Sequence, residues 1–134
     1  MWLMTKHGAY SIVKSRYGGE KWLVRSREKR DIENLFDLIP EMKDVKDPKK
    51  FGICKILDTP EADYRYRIFV NGKWLIKIMA ALMNGIDYPN FKDEVHRHPD
   101  QENKPYGAVW SVMANALGAY GMKPTEERKR RNAR

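Results

Sequence analysis

Residues 63–83 constrain the fold of this chain more than any other stretch. Side chains of two kinds alternate from residue 64 to residue 70, as they do along a β-strand with two different faces. One face would carry Tyr64, Tyr66, Ile68 and Val70, and the other would carry Arg65, Arg67 and Phe69. Residues 71–73 then predict a helix cap, and residues 74–83 predict a helix with an apolar stripe about 100° wide. We therefore expect this helix to pack on the apolar face of the sheet that contains the strand.

The rest of the chain predicts further strands and helices around this unit. The predicted strands are residues 3–13 (interrupted at Gly8), 21–27, 51–57 and 64–70, and the predicted helices are residues 28–39, 74–83, 89–95 and 105–117. Gly18 and Gly19 suit a tight antiparallel hairpin, and Ser26 suits the N-cap of the first helix. The fold class that follows is α+β, a four-stranded antiparallel sheet with helices on one face, in the order ββαββαα.

The last predicted helix, residues 105–117, carries apolar side chains at helical spacing. They are Tyr106, Val109, Trp110, Met113, Ala114 and Leu117. Because such a stripe must be buried, we expect it to pack on the same sheet. Residues 1–121 are accordingly predicted to form a single domain, followed by a tail of residues 122–134.

The composition favours a folded protein in a reducing compartment. A single cysteine, Cys54, excludes an intramolecular disulfide and a cysteine zinc cluster, and we interpret it as a small strand residue. The first residues lack the pattern of a signal peptide, and no apolar run approaches the ~18 residues that span a bilayer. We expect a cytoplasmic protein with no membrane partner and no cofactor.

The charge of the chain favours polyanionic partners. The net charge is +8, and the tail holds half of this excess because it has six basic and two acidic residues. Its centre is the run Arg128, Lys129, Arg130 and Arg131. Such a cluster binds nucleic acid by releasing counterions, without sequence specificity. Alternatively, the tail is a disordered end that keeps the protein soluble.

A second group of cations is predicted on one face of the sheet. It consists of Arg25, Arg27, Arg65 and Arg67, with Phe69 in the same phase. If helices cover the other face, these guanidinium groups can contact phosphates while the aromatic ring stacks on a base, as in proteins that bind single strands. Two alternatives use the same residues: the arginines form ion pairs with acidic neighbours and only solubilise the sheet, or they accept an acidic protein surface.

Two smaller groups of residues have possible roles. Tyr88 and Phe91, around Pro89, either fix the angle between two helices or anchor a protein partner. Asp93, Glu94, His96 and His98, with Asp100 nearby, contain the groups of a metal site or an acid–base pair. A solvated loop explains the second group equally well, and the spacing around His98 matches no established set of ligands. His7 is too distant in sequence to be placed.

Several blocks of the sequence resemble a family of short bacterial and phage proteins to which no activity is assigned. The blocks are Gly8-x-Tyr10-Ser11-Ile12-Val13, Leu23-Val24-Arg25-Ser26-Arg27, Asp63-Tyr64-Arg65-Tyr66-Arg67, Asp87-Tyr88-Pro89-Asn90-Phe91-Lys92 and Tyr106-x-x-Val109-Trp110. The resemblance covers most of residues 1–118 and implies a small cytoplasmic protein of one domain. It implies no reaction and no catalytic residues.

The sequence therefore favours a small non-enzymatic protein that binds nucleic acid, either RNA or DNA, with a preference for single strands. One alternative is a phage or bacterial accessory factor that docks on the acidic surface of a larger complex. Another is a small metal-dependent nuclease or hydrolase that uses Asp93, His96 and His98.

Overall fold

An antiparallel sheet forms the framework of the N-terminal part of the chain. We describe the protein from a computed structural model, which defines residues 1–44, 52–53, 55–101 and 104–117. The strands are β1 (Trp2–Thr5), β2 (Gly8–Lys14), β3 (Lys21–Ser26), β4 (Leu57–Asp58) and β5 (Tyr66–Asn71), and the helices are α1 (Lys29–Leu38), α2 (Gly72–Asn84), α3 (Phe91–Arg97) and α4 (Tyr106–Leu117). The spatial order of the strands is β1-β2-β3-β5-β4, and all neighbours are antiparallel. The predicted α+β class with an antiparallel sheet is confirmed.

The first strand was predicted as one element, residues 3–13, but the chain turns back on itself at Gly8. The Thr5 hydroxyl accepts hydrogen bonds from the N–H groups of His7 (3.1 Å) and Gly8 (3.2 Å), which closes a tight turn between β1 and β2. Gly8 has a φ of +155°, and a Cβ atom there would lie 2.7 Å from the side chain of Asp31. The interruption at Gly8 is therefore a hairpin turn, and the sheet has five strands within the described residues instead of the predicted four.

The strand predicted for residues 51–57 is also different. In the described part of this segment, Ile53 makes an isolated bridge to Val70, and the regular strand β4 comprises only Leu57–Asp58. Cys54 lies outside the described residues. Because β5 pairs with β3 on one side and β4 on the other, β4 is an edge strand. The predicted element order ββαββαα is replaced by βββαββααα over the described chain.

Helices α1 and α2 pack on the same face of the sheet. Helix α1 contacts β2, β3 and β5, and α2 contacts β5 and β3. Both helices bury their apolar stripes because the strands offer an apolar face opposite them. The fully buried core residues are Val24, Ile68 and Val70 from the sheet, Ile32 and Leu35 from α1, and Ile78 from α2.

The helix ends show which residues act as caps. Asn71 accepts a hydrogen bond from the N–H of Trp74 (3.1 Å), so the predicted cap before α2 is confirmed. Helix α3 begins at Phe91, after the predicted start at Pro89, because Asn90 caps it by accepting from the N–H of Asp93.

Ser26 is not the N-cap of α1. The cap position is Glu28, which makes no side-chain capping bond. The Ser26 hydroxyl instead accepts from the N–H of Glu28 (3.2 Å) and donates to the carboxylate of Asp31 (2.8 Å). Ser26 therefore helps to anchor a buried carboxylate at the start of α1.

The chain divides into two compact units, residues 1–102 and 103–134. Helix α4 belongs to the second unit and has the predicted extent within one residue. Of its predicted buried stripe, Tyr106 is buried, whereas Trp110 is 59% exposed and Leu117 is 74% exposed. None of the helices in the described ranges combines the length and the apolar character that crossing a bilayer requires.

Candidate nucleic-acid interface

The register between β3 and β5 places two arginines directly opposite each other. Arg25 pairs with Arg67, and the next pair along the same face is Leu23 with Phe69. Val24 and Ile68, the pair between them, point to the face that α1 and α2 cover. We call the opposite face, formed by Ser11, Leu23, Arg25, Arg67 and Phe69, the arginine face. The alternation in the sequence predicted that Arg25, Arg67 and Phe69 share a face, and their role in binding stays a prediction.

Arg25 and Arg67 are half-buried, and within the described residues their hydrogen bonds go to uncharged acceptors. Arg25 Nη2 donates to the Ser11 hydroxyl (2.7 Å), and Arg67 Nη2 donates to the carbonyl oxygen of Tyr64 (2.7 Å). The Nε atom of each arginine is buried and has no hydrogen-bond partner in the described chain. No carboxylate among the described residues forms an ion pair with either guanidinium. Two arginines thus occupy paired positions of neighbouring strands, and the described part of the chain supplies no ion-pair partner for either.

The other two predicted arginines have acidic partners. Arg27 Nη2 lies 3.0 Å from the carboxylate of Asp63. Arg65 binds Asp58 through two hydrogen bonds of 2.7 and 3.0 Å, and this contact holds the pKa of the Asp58 carboxyl below its usual range. For Arg27 and Arg65, the structure matches the alternative that arginines on a sheet face pair with acidic neighbours.

Tyr64 and Arg65 do not lie where the alternation placed them. The Tyr64 ring was predicted on the apolar face, but it contacts the guanidinium groups of Arg25 (4.8 Å) and Arg27 (4.3 Å). Arg65 was predicted beside Arg67, but it lies over the ring of Tyr66 (5.2 Å) and binds Asp58. The reason is that β5 begins only at Tyr66. Alternation with period two holds inside a paired strand and is lost where pairing stops.

A groove of about 490 Å³ runs along the arginine face. Its charged lining residues are Lys14, Arg16, Arg25, Arg67 and Asp63, and its aromatic lining residues are Tyr17, Tyr64 and Phe69. Asp63 is the single acid of this lining and is already bound to Arg27. We call this concavity the arginine groove. Sequence reasoning missed Tyr17, although its place next to the two turn glycines was a signal that it would project from a hairpin.

Of the remaining predicted binding residues, Tyr88 and Phe91 are described and do not line the arginine groove. Arg128, Lys129, Arg130 and Arg131 fall outside the described residues. Tyr88 and Phe91 are half-buried, and their ring centroids are 6.1 Å apart. Lys6 Nζ lies 5.6 Å from the centre of the Tyr88 ring. These contacts are compatible with the interpretation that Tyr88 and Phe91 fix the angle between two helices, and their role stays a prediction.

The histidine group is arranged differently from the prediction. His98 lies 3.0 Å from the carboxylate of Glu94, and its ring approaches that of His7, with centroids 6.2 Å apart. His96 and Asp93 are exposed, and in the described part of the chain neither side chain bonds to His98. Within the described ranges, no three His, Cys, Asp or Glu side chains come together in a way that could hold a metal ion. Of the predicted cluster, the structure thus brings Glu94 and His98 together, and it adds His7, which the sequence could not place.

His7 is half-buried among charged groups of both signs. Its Nε2 atom is buried and has no partner among the described residues. Burial lowers the pKa of His7, and the charges of Lys6 and His98 lower it further. Lys6 itself binds Asp87 (2.6 Å) and approaches Glu94 (3.5 Å). This cluster holds the β1–β2 turn against the segment around α3, since its members come from both.

Comparison of the chain with known protein families, with curated proteins and with solved structures gives no match. The resemblance to short bacterial and phage proteins therefore stays a prediction.

Proposed function

We propose that this protein binds single-stranded nucleic acid, RNA or DNA, on the arginine face and catalyses no reaction there. The observation that carries the proposal is the pair formed by Arg25 and Arg67. The two residues pair directly across β3 and β5, and neither guanidinium has a carboxylate partner in the described chain. Like charges directly opposite each other destabilise a sheet, and a buried donor without a partner costs about 1–3 kcal/mol.

A phosphate group would reduce both costs. Its oxygens accept hydrogen bonds from planar guanidinium groups, and its negative charge offsets one of the two positive charges. The bonds to the uncharged Ser11 hydroxyl and Tyr64 carbonyl can be exchanged for bonds in which both the donor and the acceptor are charged. We expect the side chains to reorient so that the Nε groups reach the ligand.

The surroundings favour a strand over an isolated anion. Lys14 and Arg16 line the same groove as the arginine pair, so cations extend along it. Aromatic side chains are interleaved with these cations, which is the arrangement that binds single strands through phosphates and bases together. The net charge of +8 would attract any polyanion, and the predicted basic tail, including Arg128–Arg131, would add attraction without sequence specificity.

The experiment is a binding titration of the full chain with fluorescently labelled DNA and RNA strands, followed by anisotropy at several salt concentrations. The test variant is Arg25→Gln with Arg67→Gln. The matched control is Arg65→Gln, which removes an equivalent charge that is already bound to Asp58.

We expect the double variant to bind about 30-fold more weakly, because two charge-assisted contacts are lost. The slope of log Kd against log salt should fall by about 0.7, since both arginines contact one phosphate and roughly 0.7 is lost for each phosphate contact to a single strand. The control should bind within about twofold of the unaltered protein. Equal losses of affinity in both variants would mean that the interaction is nonspecific electrostatic attraction. No binding at near-physiological salt would contradict the proposal and favour an acidic protein surface as the partner.

A further inference from the structure

The loop between β2 and β3 projects an aromatic side chain at the edge of the arginine groove. Tyr17 is 90% exposed and lines the groove together with Arg25 and Arg67. Its N–H donates to the Ser15 hydroxyl (3.2 Å), and the N–H of Ser15 donates to the carbonyl of Lys21 (2.9 Å). The base of the loop is therefore fixed, and Tyr17 stands at a defined point of its backbone.

The turn that follows Tyr17 contains two glycines and leaves open space beside the Tyr17 ring. Gly18 and Gly19 have φ values of +76° and +72°, a backbone conformation that residues other than glycine rarely adopt. A Cβ atom at either glycine would have no heavy atom within 4 Å. The space next to Tyr17 is thus open, and the hairpin reverses direction without placing another side chain against the ring.

The three aromatic residues of the groove differ in what their rings can offer a ligand. The Tyr64 ring already contacts the guanidinium groups of Arg25 and Arg27, so it orients these cations. Phe69 is half-buried in the floor of the groove, opposite Leu23. Tyr17 is the most exposed of the three, and no ring or cation contact to it is formed by the other described residues. Its ring is the one that a nucleobase can reach.

We propose that the arginine groove holds one nucleotide unit of a single strand, with the phosphate at Arg25 and Arg67 and the base stacked on Tyr17. This inference rests on the proposed function. The groove volume of about 490 Å³ suits a ligand of this size. A base can stack on a side chain only when it has left its neighbours, so the groove selects unpaired strands over duplexes.

The test compares three ligands of about ten nucleotides: a natural single strand, an abasic strand with the same phosphates, and a duplex. Anisotropy is measured with the unaltered full chain and with Tyr17→Ala and Tyr17→Phe. Because Tyr17 is exposed in a loop, both variants should unfold at the temperature of the unaltered protein, and this is checked first.

We expect the unaltered protein to bind the natural strand about tenfold more tightly than the abasic strand, as stacking of one base predicts. Tyr17→Ala should abolish this preference without weakening the abasic strand, and Tyr17→Phe should retain it because the ring is kept. A preference that survives Tyr17→Ala, or an equal loss for both strands, would overturn the stacking site while leaving the phosphate site in place. Failure of every strand to bind would contradict both proposals.

Discussion

The two faces of the sheet differ in how completely their buried polar groups are hydrogen-bonded. On the face covered by α1 and α2, the carboxylate of Asp31 is 1% exposed and accepts from the N–H of Ala9 (3.1 Å), the Ser26 hydroxyl (2.8 Å) and the Gln101 amide (3.4 Å). On the arginine face, Arg25 and Arg67 each have a buried Nε without a partner in the described chain. The buried carboxylate on the covered face is thus hydrogen-bonded, whereas the buried Nε groups on the arginine face are not.

This difference indicates what each group is for. Buried polar groups in folded proteins are almost always hydrogen-bonded, and exceptions mark functional sites more often than defects. Asp31 ties α1 to β2 and to the end of β3, so its cost of burial is offset by bonds that hold the fold. Arg25 is joined to β2 through the Ser11 hydroxyl, and Arg67 to the Tyr64 carbonyl just before its own strand. These bonds use Nη2 of each arginine and leave the buried Nε groups without a partner in the described chain, so we assign the cost of those groups to ligand binding.

The largest effect on stability is expected from Asp31→Ala, on the face of the sheet that α1 and α2 cover. The substitution would leave buried donors of Ala9, Ser26 and Gln101 without their acceptor, and each such group costs about 1–3 kcal/mol. We expect the free energy of unfolding in urea to fall by about 4 kcal/mol. A loss below about 1 kcal/mol would show that the two faces do not differ in this way.

Gly8→Ala should have the next largest effect. The new Cβ would lie 2.7 Å from the Asp31 side chain, and φ at this position is +155°. We expect the free energy of unfolding to fall by about 3 kcal/mol, through strain and through displacement of the carboxylate. Gly18→Ala is the matched control, because its φ is also positive but its Cβ would meet no atom within 4 Å. Equal losses in both variants would assign the effect to backbone conformation alone.

On the arginine face, substitution should leave stability intact. Arg25→Gln with Arg67→Gln removes two like charges that lie directly opposite each other. We expect the free energy of unfolding to stay the same or to rise by up to about 1 kcal/mol, measured in the same urea titrations. A substantial loss of stability would mean that these arginines serve the fold, as Asp31 does.

His7 is an intermediate case that sharpens the comparison. Its Nε2 is buried without a partner in the described chain. Burial and the charges of Lys6 and His98 lower the pKa of His7, and the charges of Asp87 and Glu94 oppose this shift more weakly. Because the folded state disfavours the protonated ring, the unfolded state takes up the proton first as the pH falls through 6.5. We therefore expect stability to decline below that pH and His7→Gln to lessen the decline.

A second decline is expected at more acidic pH. The hydrogen bond from His98 and the charge of Lys6 lower the pKa of Glu94, so the stabilisation by this carboxylate is complete above 4.5 and is lost as the pH falls further. Urea titrations across both ranges would separate the two steps. A His7→Gln variant with an unchanged slope near pH 6 would contradict the role given to His7.

The sequence predicted those parts of the site that depend on local regularity. Arg25, Arg67 and Phe69 were correctly grouped because β3 and β5 are regular strands, in which alternate side chains share a face. Tyr64 and Arg65 were misplaced because they precede the first paired residue of β5. The stripe on α4 was expected to be buried, but helical spacing alone does not provide a surface to cover it.

Other parts of the molecule depend on contacts that sequence spacing does not reveal. Gly8 was recognised as an interruption, yet the hairpin depends on the close approach of Asp31 from α1. His7 meets His98 although 90 positions separate them in the chain. Which arginines lack an acidic partner also depended on the folded positions of Asp58 and Asp63. These features follow from tertiary packing, which a single sequence does not specify locally.

The most direct test of the central claim is an NMR titration of the full chain that follows the arginine Nε–H signals. The signals of Arg25, Arg65 and Arg67 are assigned from the corresponding glutamine variants, and a single strand is then added. The account predicts that the Nε–H signals of Arg25 and Arg67 shift and exchange more slowly with solvent, while that of Arg65 stays in place because Asp58 already binds it. A shift of Arg65 with no change at Arg25 and Arg67 would contradict the account.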